Sequence, residues 1–235
     1  MTQVTPSDLA EAITAVIADI DGISELYPSQ RELIATLFQH DNIFYTASTN
    51  SGKTLPTVLY PSILKQLAYN GYNFPQNPKL LFVTALNSLQ LSLKNNVKAL
   101  GIDCEAVTSA NLGELIASTT SVLFISPEVL KLPSVTQTLL SNRSSFVLKV
   151  VDECHLGRFI KLLVLFFVSQ KGFGSFTFIC FSCGLGDQER SQACLQTCHG
   201  PLYRGTQWTG WEATDDDCNC DKEDDEGFTR SVPRG

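Results

Sequence analysis

One stretch constrains the fold more than any other: NIFYTASTNSGKTLPTVLY, an apolar run that passes through a glycine-containing loop into a helix pattern. It holds the pattern Gly/Ala-x4-Gly-Lys-Ser/Thr, which starts at Ala47 and closes with Gly52, Lys53 and Thr54. Between a strand and a helix, this pattern lets backbone N–H groups surround phosphate oxygens, aided by the positive end of the helix. The stretch predicts a phosphate-binding loop; the alternative is an ordinary strand–turn–helix connection.

Each part of this loop has an expected role. Gly52 allows the backbone to approach the phosphates, Lys53 reaches the β- and γ-phosphates, and Thr54 holds Mg²⁺ through its hydroxyl. The residues expected to bind the nucleotide here are Thr49, Asn50, Ser51, Gly52, Lys53 and Thr54.

Strand and helix patterns alternate from the N-terminus to about residue 156. The first helix pattern is SDLAEAITAVIADI, with Ser7 as its expected N-cap, and the strand patterns are NIFYTA, KLLFVTA, SVLFISP and SFVLKVVDE. Continuous apolar strands that alternate with helices are typical of a parallel sheet covered on both faces. We predict an α/β fold with a mostly parallel sheet flanked by helices, followed by an irregular C-terminal tail.

A pair of acidic residues, Asp152 and Glu153, follows the apolar strand pattern in VLKVVDECHL. Ligands of parallel sheets bind at the carboxyl ends of the strands, so this pair is expected near the phosphate loop. An Asp there can hold Mg²⁺ through water, and a Glu beside it can orient or deprotonate the attacking water. The alternative is an exposed acidic turn.

The acidic charge is concentrated near the C-terminus. Residues 215–226 carry eight acidic residues and one lysine, and removing these from totals of 24 and 17 leaves 16 of each sign. A neutral body offers no strongly basic patch to nucleic acid, which weakens a DNA-binding interpretation without excluding it. The start of the chain lacks a signal-peptide pattern and the apolar run at 162–168 is too short to span a bilayer, so we expect no membrane partner.

Several segments together resemble the superfamily-two helicases, and most closely the RecQ-like DNA helicases. STNSGKT resembles motif I, DECH resembles motif II of the DEAH/DExH type, and VLFISPEVL resembles the family's strand-Ser-Pro-Glu-x-Leu segment. LLFVTALNSLQLSL is similar to motif Ia, although Ala85 stands where the family usually has Pro. YPSQRELI is similar to the glutamine motif, although Tyr27 stands where Arg is frequent. The resemblance covers residues 25–156.

The resemblance implies a RecA-like lobe that binds ATP and Mg²⁺ and acts on DNA, single-stranded or at a duplex junction. It implies that Gln30 selects adenine, that Asp152 binds the metal together with Thr54, and that Glu153 is the catalytic base. It further implies that Lys53 assists catalysis and that His155 couples the nucleotide to the nucleic acid. Candidates for contact with the sugar–phosphate backbone are Thr84, Asn87 and Ser126, for which strand-end capping is the alternative.

The resemblance also implies a second RecA-like lobe, with ATP held between the two. After Leu156 no strand–helix alternation continues, and 79 residues are few for another lobe. We therefore expect a helical lead-in at 1–24, an ATP-binding lobe at 25–156 and a divergent, poorly ordered tail at 157–235. The tail would come from a truncated splice form or a gene-model error, and the chain alone would be inactive or weak.

The tail cysteines allow two interpretations. Cys180, Cys183, Cys194 and Cys198 have paired spacing that can supply a zinc site, but the spacing is irregular and free thiols are favoured over zinc.

Three functions remain open. The favoured one is the ATP-binding lobe of an ATP-dependent DNA helicase, in which hydrolysis drives strand separation. The others are another P-loop ATPase and a non-enzymatic fragment that binds ATP or nucleic acid. We expect an intracellular protein, nuclear if the source is eukaryotic.

Overall fold

The computed structural model describes residues 4–39, 42–47, 52–84, 87–152, 177–183 and 209–212. The helices in these ranges are α1 (Pro6–Ala18), α2 (Pro28–Leu37), α3 (Thr54–Tyr69), α4 (Asn87–Ala99), α5 (Leu112–Ala117), α6 (Pro127–Leu130) and α7 (Pro133–Ser141). The strands are β1 (Asn42–Ala47), β2 (Lys79–Val83), β3 (Cys104–Ala106), β4 (Val122–Ile125), β5 (Phe146–Val151), β6 (Thr177–Cys183) and β7 (Thr209–Glu212).

The seven strands form one sheet in the order β3-β4-β2-β5-β6-β1-β7, and every described pair is parallel. Between consecutive strands of the first five, the chain returns through helices, as parallel pairing requires. The predicted α/β fold is confirmed.

The tail contributes two strands that the sequence patterns did not predict. β6 lies between β5 and β1, and β7 pairs with the other side of β1. Both strands lie in the region where the sequence analysis found no continued strand–helix alternation. The run TFICFSC has the aromatic and β-branched residues that favour strands, but its Gly- and Ser-rich flanks concealed the pattern. A lobe boundary at residue 156 stays a prediction, and both strands argue for a later one.

Both faces of the sheet are buried, by different helices. Leu80 and Phe82 of β2 face a cluster that includes side chains of α1, α2 and α3, whereas Leu81 and Val83 face a cluster that includes side chains of α5, α6 and α7. Successive residues of a strand point to opposite faces, so a strand buried on both sides must be apolar throughout. The uninterrupted burial of β2 and β4 follows from this arrangement.

The first helix begins two residues earlier than the sequence pattern indicated. Thr5, not Ser7, is its N-cap, and the Thr5 side chain accepts a hydrogen bond from the Asp8 N–H at 3.2 Å. Pro6 takes the first helical position, where its missing N–H costs nothing, so the cap falls on the residue before it. Among the residues that the structure describes, no helix has the length and apolar character needed to cross a bilayer.

Candidate functional site

Three of the predicted site residues lie side by side at the carboxyl edge of the sheet. Thr84 follows β2, Ser126 follows β4 and Asp152 follows β5, and these three strands are neighbours. The Asp152 N–H donates to the Val83 carbonyl at 3.0 Å, and the Thr84 N–H donates to the Ile125 carbonyl at 3.1 Å. These two bonds extend the backbone pairing of the sheet by one residue beyond the strands. They hold the backbone of Thr84 and of Asp152 at the sheet edge.

The predicted phosphate loop has the expected context. It leaves β1 at Ala47 and enters α3 at Thr54, with Lys53 at the N-cap position. Gly52 has a φ of +68°, a left-handed conformation that residues with a Cβ rarely adopt. The structure therefore brings Gly52, Lys53 and Thr54 to the same edge of the sheet as Asp152. The remaining predicted loop residues, Thr49, Asn50 and Ser51, lie outside the described part of the chain.

Gln30 contacts the loop directly. Its side chain is only 3% exposed, and its Nε2 donates to the Gly52 carbonyl at 3.1 Å. Its Oε1 accepts from the Tyr27 N–H at 3.0 Å. The glutamine motif and the phosphate loop, 22 residues apart in sequence, are thus joined by a hydrogen bond. The sequence resemblance assigns both segments to one nucleotide site, but no sequence pattern predicts this contact between them.

A cavity of about 570 Å³ opens beside this contact, a size that suits a small ligand. It is lined by residues 22–28, Gln30 and Leu55. The Tyr27 side chain lies on its wall and is 60% exposed, which leaves an aromatic ring available for stacking. Glu25, also on the wall, is paired with Arg31 at 3.1 Å. One feature of the sequence points to this cavity, the aromatic residue three positions before the glutamine.

The candidates for nucleic-acid contact are more enclosed than expected. Thr84 is fully buried, and Ser126 is 5% exposed. The Ser126 Oγ accepts a hydrogen bond from the Val129 N–H at 3.4 Å and so caps α6, as the alternative interpretation supposed. Asn87 is the first residue of α4, but its side chain lies outside the described part of the chain. Contact with a sugar–phosphate backbone stays a prediction for all three.

The predicted metal ligands have suitable chemistry. Mg²⁺ prefers oxygen ligands and usually takes one or two carboxylates together with waters and substrate phosphates. The Thr54 hydroxyl and the Asp152 carboxylate supply such oxygens at the same sheet edge. Within the described residues no cluster of three or more His, Cys, Asp and Glu forms a self-sufficient metal site. Glu153 and His155, the predicted base and coupling residue, lie outside those residues, as do Cys194 and Cys198; Cys180 and Cys183 fall within β6.

Two lysines of the sheet are buried, Lys79 of β2 and Lys149 of β5, and the sequence analysis assigned a role to neither. Lys149 of β5 is 2% exposed, and its backbone stands in register between Leu81 of β2 and Phe178 of β6. Burial lowers the pKa of its ammonium group to about 7. The signal was present as a single lysine in the apolar run FVLKVV, three positions before Asp152.

The chain matches one protein family in sequence and several helicases in structure. Residues 10–163 match the family model described as type III restriction enzyme, res subunit. The chain is similar in structure to the DUF1998 helicase MrfA bound to DNA and AMPPNP, with a TM-score of 0.61 at 19% sequence identity. It is also similar to the DEAD-box helicase Mss116 bound to ssRNA and UDP-BeF, with a TM-score of 0.58 at 15% identity.

Both structural similarities cover most of this chain but less than half of the other protein. The first covers 88% of this chain and 29% of the MrfA chain, and the second covers 91% of this chain and 44% of the Mss116 chain. The chain thus spans less than half the length of either helicase. At such identities the likeness establishes the fold alone, an α/β lobe of the RecA-like type. No protein with a curated functional description matches the sequence.

Proposed function

Since the chain belongs to the family described as the res subunit of type III restriction enzymes, we propose that it is the ATP-binding lobe of an ATP-dependent helicase. One observation carries the proposal. Gly52, Lys53 and Thr54 lead into α3, the helix that follows β1, at the same sheet edge at which Asp152 follows β5. A phosphate loop and an acidic metal ligand at the carboxyl ends of parallel strands form the core of a nucleoside triphosphate site.

The proposed roles combine this arrangement with the sequence resemblance. Lys53 binds the β- and γ-phosphates, while Thr54 and Asp152 hold Mg²⁺. The bound Mg²⁺ neutralises charge on the phosphates. Glu153 orients or deprotonates the attacking water, and His155 links the nucleotide to the nucleic-acid side. The cavity beside Tyr27 receives the base, which stacks on the exposed ring.

The finer assignment is to the RecQ-like DNA helicases, with DNA as the nucleic acid and ATP hydrolysis coupled to strand separation. What supports it is the set of sequence segments that resemble that group, from the glutamine motif to DECH. Thr84, Asn87 and Ser126 would contact the sugar–phosphate backbone. We place the protein inside the cell, in the nucleus if the source is eukaryotic.

The first experiment measures ATP binding, because the resemblance implies a second lobe and turnover by this chain alone is expected to be feeble. In Lys53→Ala, loss of the phosphate-binding ammonium should weaken Mg-ATP binding at least about tenfold in calorimetry. Lys65→Ala, on the same helix α3, is the matched control and should bind like the unchanged chain. Unaltered binding by Lys53→Ala would remove the assignment of the phosphate loop.

A second measurement separates the helicase from other ATPases. ATP hydrolysis by the full-length parent protein is compared with and without single-stranded DNA and single-stranded RNA. We expect DNA to stimulate turnover. Stimulation by RNA alone would contradict the DNA assignment, and stimulation by neither would favour an ATPase with another substrate.

A further inference from the structure

We propose that the acidic run at residues 215–226 is an autoinhibitory segment, which competes with the phosphates of the nucleotide at the phosphate loop. The inference rests on the proposed function and adds a means of regulation to the same site. The run has eight acidic residues against one lysine, so its net charge is −7. Only two residues separate it from the end of β7.

The backbone pairing of β7 determines where the acidic run begins. β7 is parallel to β1, and its last residue, Glu212, is level with Thr46. The next residue, Ala47, ends β1 and begins the phosphate loop. Neighbouring strands lie about 5 Å apart, and three residues of extended chain span at most roughly 10 Å. The run itself lies outside the described residues, but the end of β7 brings Asp215 within roughly 15 Å of the loop.

The order of the strands determines which charges the run meets first. β7 neighbours β1, whereas β5, the strand that precedes Asp152, is separated from β7 by β1 and β6. The run therefore reaches the sheet edge on the side of the phosphate loop, and not on the side of the metal-binding carboxylate. Twelve extended residues span about 40 Å, whereas β7 and β5 are roughly 15 Å apart. The run is therefore long enough to contact the whole loop.

The chemistry of the loop suits carboxylates as well as phosphates. A triphosphate is held by backbone N–H groups, the positive end of a helix and a lysine, here the N-terminus of α3 and Lys53. Carboxylates accept hydrogen bonds from the same donors and are stabilised at the same helix end. A carboxylate binds more weakly than a triphosphate, but a short tether gives the run an effective concentration in the millimolar range. The run thus acts as a tethered, low-affinity substitute for phosphate.

The test removes the charge of the run without shortening the chain. In the neutralised variant, every Asp and Glu of residues 215–226 is changed to Asn or Gln. Mg-ATP and adenosine are titrated in calorimetry at equal free Mg²⁺, with adenosine as the ligand that lacks phosphate. A chain that ends at Gly227 keeps the run and loses only the residues after it, so it is the matched control.

We expect the neutralised variant to bind Mg-ATP about three- to tenfold more tightly than the unchanged chain, because a tethered competitor has been removed. Adenosine should bind equally to both chains, and the two should unfold at the same temperature. The gain in Mg-ATP affinity should shrink in about 0.5 M salt, which screens the charges. The chain that ends at Gly227 should bind like the unchanged chain. A synthetic peptide of residues 215–226 should compete with Mg-ATP on the neutralised variant.

Four results would overturn the inference. Equal Mg-ATP affinity of the neutralised variant and the unchanged chain would make the run an ordinary solvated tail. An equal gain for adenosine would place the effect outside the phosphate loop. Weaker Mg-ATP binding by the neutralised variant would mean that the run supports the metal. Tighter binding of single-stranded DNA at unchanged Mg-ATP affinity would make nucleic acid the ligand that the run opposes. If neither chain binds Mg-ATP, the proposed function fails, and this inference fails with it.

Discussion

Gly52 combines two constraints that can be separated by substitution. Its φ of +68° disfavours any side chain, and its missing Cβ makes room for the Gln30 amide. Gly71 has a φ of +96° but open space around the position of a Cβ, so it shares the first constraint and not the second. The pair therefore distinguishes backbone strain from loss of the Gln30 contact.

We expect Gly52→Ala and Gly71→Ala each to lower the free energy of unfolding by roughly 1–2 kcal/mol through left-handed strain. Only Gly52→Ala should also weaken Mg-ATP binding, by about tenfold or more, because its Cβ displaces Gln30. Urea denaturation and calorimetry measure the two effects. ATP affinity that falls equally in both variants would mean that strain, and not the contact, is responsible.

At this scale the sequence predicted which residues lie at one edge of the sheet, but not which side chains are in contact. Gly52, Lys53, Thr54 and Asp152 reach one sheet edge because strand ends in a parallel sheet share an edge, which a pattern can indicate. The amide of Gln30 against Gly52 depends on how α2 packs beside α3, and no local pattern encodes that. The N-cap at Thr5 was missed for a simpler reason, since Ser7 and Thr5 are both good caps and Pro6 decides between them.

Among the elements, the edge strand β3 is tied to helix α4 by charge. Glu105 of β3 pairs with Lys94 and Lys98, the latter at 3.1 Å. Burial acts to raise the pKa of Glu105, but hydrogen bonds from Lys94, from the Ala106 N–H and from Lys98 outweigh it and lower the pKa to about 2. The folded state therefore holds the ionised carboxylate more firmly than the unfolded chain does.

The sign of the resulting pH dependence follows from this lowered pKa. The stabilisation is complete above the ordinary pKa of 4.5 and is lost as the pH falls toward about 2. Glu105→Gln should lower the free energy of unfolding at pH 7 by about 0.5–1 kcal/mol, a modest value because these groups are partly exposed and screened by solvent. Near pH 2 the variant and the unchanged chain should converge in urea denaturation.

Glu114→Gln, an exposed carboxyl on α5, is the matched control and should change little at either pH. A Glu105→Gln effect that persists undiminished at pH 2 would contradict the charge-based account.

The helix α4 and the strand β3 differ in how clearly the sequence predicts them. The helical spacing of α4 is plain, whereas a three-residue strand such as β3 carries almost no periodic signal.

At the scale of the whole molecule, the strand that leads into the phosphate loop depends on the far end of the chain. Among the described strands, β1 pairs only with β6 and β7. Both lie beyond residue 156, where the strand–helix alternation of the sequence ends. Strand pairing of this kind is set by tertiary neighbours, so a weak local pattern such as TFICFSC becomes a central strand only through its partners.

Truncation tests this dependence. A chain that ends at Leu156 retains the loop but lacks both described partners of β1, and we expect it to bind ATP at least about tenfold more weakly and to unfold at lower temperature. A chain that ends at Glu212 retains every described strand and is the control. Circular dichroism melting and calorimetry with Mg-ATP give the comparison. Full ATP affinity in the shorter chain would place the boundary of the lobe at residue 156 after all.

The pairing of β1 has a consequence for synthesis on the ribosome. Residues 42–47 emerge early, but their partners at 177–183 and 209–212 are translated more than a hundred residues later. Until then the apolar segment NIFYTA has neither neighbour, and pairing over so long a separation is slow. The nascent chain therefore exposes this apolar segment until its two described partners have been made, which makes it a natural client for chaperones that shield such segments.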